Sequence, residues 1–255
     1  MWINNLTLMV PEGGRVAINL ALYIGEALIL AYVFIGMRKL MDRRCEKRTE
    51  DSLFMWLCNV SLIRLILIVL VLVPDLFNNG MRRLVVPYGV VFALIQILQF
   101  LIPLLWLIFI DYFVNRSVAR LKRKYKYAFI PFLILAVLYA AQYILLRMEM
   151  DAVRNYAMGG KKPFAFYLQD IYNIASFALS FCFILYAYLI VKTFHSEMKQ
   201  PLFMRIDIFV VPWLIGTILT VITGFNVDSL FNSIAVLLIF ISIKNRYRFL
   251  DSETQ

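Results

Sequence analysis

Residues Ser52–Val73 read SLFMWLCNVSLIRLILIVLVLV, 22 positions with a single charge, at Arg64. A helix needs roughly 20 mostly apolar residues to cross a bilayer. This stretch therefore predicts a membrane-spanning helix with a cation deep inside it. Six more runs of the same kind surround it: Val16–Met37, Leu84–Ile110, Tyr127–Leu146, Ile171–Val191, Ile206–Gly224 and Val227–Ile243. Only Gly224-Phe225-Asn226 separates the last two, which predicts a tight helical hairpin. The expected fold is all-α: an integral membrane bundle of seven transmembrane helices over residues 16–243. A short segment, residues 1–15, precedes it, and a basic, polar segment, residues 244–255, follows it.

Composition points the same way. Apolar residues make up 62% of the chain and charged residues 16%, against about a quarter charged in a soluble domain. The net charge of +10 does not mark a nucleic-acid binder. The positive residues sit in the loops between apolar runs, where anionic headgroups and the positive-inside rule account for them. Membrane lipids are the partners this pattern implies. Of three cysteines, Cys45 falls in a basic loop, while Cys58 and Cys182 lie inside apolar runs. No C-x-x-C pair occurs, so all three read as reduced. His195 is the only histidine, which excludes multi-histidine metal sites. No metal or cofactor is expected. Met1–Gly14 lacks a basic n-region and holds Pro11 and Glu12, so the first run reads as a retained signal anchor.

The distribution of Lys and Arg predicts orientation. Segments 38–51, 111–126, 192–205 and 244–255 hold eighteen of the 26, and the alternate segments hold seven, with Arg64 left inside a run. By the positive-inside rule the N-terminus is outside and the C-terminus cytoplasmic. Arg38–Asp51 mixes signs and reads as a solvated connector. Residues 116–126, RSVARLKRKYK, are basic at helical spacing and read as an extension of the third span into the headgroups. Residues 147–170 are long for a connector. They carry Gly159-Gly160, Pro163, Phe164, Phe166 and Tyr167, and could cover the outer mouth as a lid.

Charged and amide side chains within the runs are the candidate site. A charge at the bilayer centre costs roughly 2.5–3.5 kcal/mol on insertion scales, so Glu26 and Arg64 each need a partner. Both lie about 15 Å from the outer ends of the first and second runs, at 1.5 Å per residue. Consecutive spans usually pack side by side, so the two can meet. Such a pair either pins two helices together or acts as a switch for an anionic ligand or a proton. Gln96 and Gln99 share one face of the third run, and Gln96 is at nearly the same depth. Gln142 lies near the outer end of the fourth run, and Asp170 and Asn173 start the fifth. These amides either tie helices together or line a polar cavity opening outward, walled by Tyr139, Tyr143, Tyr167 and Tyr172. Tyrosines of an interfacial belt would have the same pattern. Asp111 and Asp207, at inner ends, read as ordinary solvated carboxylates.

Enzyme signatures are missing. The sequence holds no G-x-S-x-G, no Walker A motif and no intramembrane protease pattern. Ser196 follows His195 directly, and neighbours on a helix do not face each other. No internal repeat of the transporter kind is visible.

The end of the last run carries a resemblance. Ser233–Arg246, SIAVLLIFISIKNR, resembles the last span of multi-span sensor regions in bacterial diguanylate cyclases of Firmicutes type. There an LLIFIxIQNR-like segment leads into a GGDEF domain that opens with a D-x-L-T-G-L-x-N-R-like motif. Asp251 and Thr254 match its aspartate and threonine, while Ser252, Glu253 and Gln255 stand where Pro, Leu and Gly are common. The close match covers about twenty residues. Elsewhere it covers only the plan of seven spans. The 255 residues contain no GGDEF signature, so catalysis is not expected of them.

The resemblance implies a sensor in the bacterial plasma membrane. It would work as a homodimer and hand a signal through Lys244, Asn245, Arg246, Asp251 and Thr254 to a cytoplasmic GGDEF or other output domain. The stimulus would be an unknown small ligand, a lipid or a proton acting near Glu26, Arg64, Gln96 and Gln99. A small-solute carrier or channel using the same polar residues is the alternative.

Overall fold

The computed structural model describes residues 12–42, 49–77, 85–128, 130–149, 152, 155–156, 159–197, 207–223, 225 and 227–253. Eight helices occur among them: α1 Glu12–Asp42, α2 Thr49–Phe77, α3 Val85–Asn115, α4 Val118–Lys124, α5 Ile130–Met148, α6 Phe164–Glu197, α7 Asp207–Thr223 and α8 Val227–Glu253. Each apolar run lies largely within one of the seven long helices. Among the described residues, four helical stretches are long and apolar enough to cross a membrane: Ala17–Asp42, Thr49–Leu70, Ala93–Asn115 and Phe164–Thr193. Ile130–Gln142 and Ser229–Asn245 are shorter apolar stretches.

Their surfaces are those of a membrane protein. Along α1 the buried side chains are Tyr23, Glu26, Leu30, Val33 and Met37. Their alternating spacing of three and four makes one stripe. The opposite face is apolar as well and open: Leu28 is 69% exposed and Tyr32 57%. On α6, Ile174 is 70% exposed. In water such rows would be an aggregation hazard. Against acyl chains they are the expected surface.

The helices pack as a ring. α1 touches α2, α2 touches α3, α3 touches α6, α6 touches α7, α7 touches α8, and α8 returns to α1. α5 lies outside this ring against α3 and α6. The main core joins Leu30 and Val33 of α1, Phe54 and Leu57 of α2, Trp106 of α3 and Ile239 of α8. α7 and α8 form the hairpin expected from Gly224-Phe225-Asn226. Val227 N–H donates to the Phe225 carbonyl (2.8 Å), and Phe225 N–H to Thr223 Oγ1 (3.3 Å). Proline inside a helix removes a backbone bond, and Pro103 in α3 and Pro212 in α7 are both accommodated.

α1 begins at Glu12, so residues 12–15 are helical. Two expectations need correction. The 38–51 segment is not a solvated connector throughout. α1 continues to Asp42 and α2 starts at Thr49, and Glu50 (5% exposed) and Asp51 (2%) are buried. Nor does 116–126 continue the third span. The helix ends at Asn115, and Arg116 takes a left-handed φ of 53°. Ser117 then caps α4, accepting from the Arg120 N–H (3.3 Å). A hydroxyl at that position is a strong helix start, and here it begins a second helix in place of an extension.

Candidate functional site

Glu26 of α1 is fully buried, and Arg64 of α2 is 5% exposed. They are joined through a third residue. Ser229 Oγ, in the first turn of α8, accepts from Arg64 Nη1 (2.9 Å) and donates to Glu26 Oε2. A hydroxyl can do both at once. The expected meeting of Glu26 and Arg64 is thus a relay of acid, hydroxyl and guanidinium on three helices.

The α8 face behind it is polar for one further turn. Ser229, Asn232 and Ser233 are all buried at helical spacing of three and four. Asn232 Oδ1 accepts from Trp106 Nε1 of α3 (2.9 Å), and Ser233 Oγ donates back to the Ser229 carbonyl (3.3 Å). α8 is therefore tied by side-chain polar bonds to α1, α2 and α3. Spare capacity remains beside the relay. Arg64 Nε and Ser61 Oγ are buried without a hydrogen-bond partner among the described residues. Ser61 and Arg64 are three apart on α2 and share a face. Buried groups of this kind usually hold water.

The other predicted residues gather elsewhere. Gln96 turns away from Glu26 and Arg64: its neighbour Ile95 packs with Tyr23, Leu65 and Ile68, while Gln96 Oε1 accepts from Tyr172 OH of α6 (2.8 Å). The Tyr139 ring lies 5.4 Å from Tyr172, and Phe100 lies 6.1 Å away on another side. Gln99 is half-buried on α3. Gln142 of α5 is buried, and its Oε1 has no hydrogen-bond partner among the described residues. Asp170 is largely exposed and ion-paired with Lys162. That pairing, a hydrogen bond foremost, raises the Lys162 pKa. Asn173 is exposed. The Tyr143 side chain lies outside the described residues. The predicted set thus divides among at least three places.

The described contacts of the long loop after α5 are local. Ala165 N–H donates to Glu149 Oε2 (3.3 Å), Tyr156 packs on Phe166 (5.5 Å), and Lys162 sits over the Tyr167 ring (4.8 Å). These fasten the loop to the start of α6. Among the output residues, Lys244 is half-buried and Asn245 exposed on α8. Arg246 and Asp251 belong to that helix, but their side chains, and all of Thr254, lie outside the described residues.

One cluster was not foreseen. Asp111, expected to be solvated, is fully buried. The end of α4 and its C-cap bring Lys124 Nζ (2.6 Å) and Tyr125 OH (2.7 Å) to its Oδ2, and Asn115 Nδ2 donates to its Oδ1. Burial opposes the charge on Lys124, but the hydrogen bonds and attraction to Asp111 and Tyr186 outweigh it and raise its pKa. Burial, then Asp111, pushes the Tyr125 phenol upward. Arg116 pairs with Glu50 at the start of α2 and lies over the Phe113 ring (4.7 Å). A buried carboxylate holding a lysine, a tyrosine and an amide is a structural clamp on the α3–α4 corner.

The fold and its buried charges define an all-helical membrane protein with one ionic relay on α1, α2 and α8. Comparison with protein-family models, with curated proteins and with solved structures finds no match to this chain.

Proposed function

We propose that this chain is the membrane-sensing part of a signalling receptor, a seven-span bundle with its N-terminus outside and its C-terminus in the cytoplasm. The charge distribution supports that orientation. Seven long helices coinciding with the seven apolar runs support the span count. A ligand, lipid or proton acting at the relay would change the pairing of Glu26 and Arg64. α8 would then shift or rotate, a familiar switching geometry, and carry the change to an output domain, a diguanylate cyclase by resemblance. Two copies would face each other to bring two catalytic domains together.

One observation carries this reading: the relay is bridged by α8, the helix that runs unbroken from Ser229 beside Glu26 and Arg64 to Glu253. A buried ion pair is weak support for stability, because desolvation offsets attraction. A pair bridged by the output helix has a use beyond stability.

The carrier reading draws on the spare polar capacity at Ser61 and Arg64. Two measurements separate the readings. The chain joined through α8 to a diguanylate cyclase domain should change its cyclic-di-GMP output when Glu26→Gln or Arg64→Met is introduced. Proteoliposomes holding the parent chain should pass no ions or small solutes. Unchanged output together with measurable flux would reverse the assignment.

A further inference from the structure

A groove of about 400 Å³ runs between α1 and α8 at the end of the bundle where Lys39 and Lys244 lie. Its floor is Tyr32, Ile35, Gly36 and Phe240. Gly36 lets Phe240 pack directly on the α1 backbone: a Cβ there would run into the ring, whose Cε2 and Cε1 would stand 3.0 and 3.1 Å from it. Phe240 meets Tyr32 edge to face, with centroids 5.8 Å apart. The two aromatic rings thus form a wall, and α1 and α8 approach closely beneath them.

The rim is charged with one sign. Lys39 is one turn beyond Ile35 and Gly36, and Lys244 is one turn beyond Phe240, so both lysines line the same end of the groove. No carboxylate is among the lining residues that are described. Asp42, one turn further along α1, is exposed and does not line the groove. Beyond the aromatic wall the floor opens onto the apolar outer face of α1, where Ile35 is 54% exposed and Leu28 69%.

We propose that this groove binds an anionic phospholipid, with the phosphate between Lys39 and Lys244 and an acyl chain along Tyr32, Ile35 and Phe240. Two cations at a membrane surface recognise a phosphate, and the continuous apolar floor selects one attached to a chain. A free phosphate would find the same cations but no use for the floor. The bound lipid touches α8 directly and would bias its position against α1. The binding itself stands apart from the sensing role and can be tested without an output domain.

The experiment is native mass spectrometry of the full chain in detergent, titrated with phosphatidylglycerol and with phosphatidylcholine of the same chains, and separately with glycerol phosphate. A lysine near the surface is worth about fivefold in affinity for anionic lipid. The parent should therefore prefer phosphatidylglycerol by up to about 30-fold, and millimolar glycerol phosphate should not displace it. The K39Q/K244Q double variant should bring the two lipids close to parity. Both lysines sit at the rim, so the variant should fold, as its helical circular dichroism and elution volume will show. An unchanged lipid preference in K39Q/K244Q, or equal binding of glycerol phosphate, would overturn the proposal.

Discussion

Ser229→Ala removes one oxygen and tests the relay more sharply than removing a charge does. The variant leaves the Arg64 guanidinium and the Glu26 carboxylate buried but takes away the group joining them. A hydrogen bond to a charged group contributes about 1.5–3 kcal/mol, and Ser229 makes two. Glu26 has further interactions of its own, so part of the loss is recovered and about 2–3 kcal/mol of destabilisation is expected. For a chain of this size each kcal/mol moves Tm by roughly 2–4 °C, which gives a fall of about 5–10 °C. Thermal unfolding in one detergent, followed by circular dichroism and aggregation, measures it. Ser176→Ala is the control: its hydroxyl donates only to the Asn173 carbonyl on an exposed face, and it should move Tm by little. A double-mutant cycle of Ser229→Ala with Arg64→Met should show a coupling of at least about 1 kcal/mol, the scale for residues in one network. Additive effects, or an unchanged Tm in Ser229→Ala, would mean that the three groups do not act together.

Replacing the whole relay with Glu26→Leu, Arg64→Met and Ser229→Ala should cost less than Arg64→Ala alone, because a well-packed apolar substitute removes the buried charges together; the same unfolding assay compares them. Gly36→Leu should lower stability by roughly 1–3 kcal/mol through overpacking against Phe240, and Gly36→Ala should do so to a smaller degree. Lys124 and Tyr125 both have raised pKa values. Their contribution is present below their ordinary values of 10.5 and 10.0 and is lost as pH rises through the folded ones. Proteolysis of the α3–α4 corner should therefore be flat from neutral pH to about 9 and increase above about 10, and Asp111→Asn should make it sensitive already at neutral pH.

The helices were legible because a spanning segment is nearly pure signal: length and apolar content alone select it. Arg64 and Glu26 stood out for the same reason, since a charge among apolar residues is conspicuous. Ser229 did not, because a serine costs little in hydropathy and carries no charge. Its one trace in the sequence is spacing: Ser229, Asn232 and Ser233 mark a polar stripe on an otherwise apolar helix. Depth was a poorer guide than direction. Gln96 lies near the depth of Arg64, yet the turn of the helix sends Ile95 toward α1 and α2 and Gln96 toward Tyr172. Asp111 looks solvated in the sequence because Lys124 and Tyr125 reach it only through the fold, from the end of α4 and its C-cap. Basic residues at helical spacing suggest that 116–126 runs straight on from α3, whereas Arg116 turns the chain and Ser117 restarts it. Asn115-Arg116-Ser117, with a helix-capping hydroxyl near the start of a basic run, is the available clue.

In the proposed mechanism the relay sets the position of α8 against α1. Spin labels at Asp42→Cys on α1 and Asn245→Cys on α8, both exposed, report that separation by electron double resonance in nanodiscs once the three native cysteines are replaced. The relay account predicts that Glu26→Leu with Arg64→Met moves the distance maximum by about 2–5 Å, between a small helix shift and a one-turn slide. Superimposable distance distributions from a folded variant would contradict it.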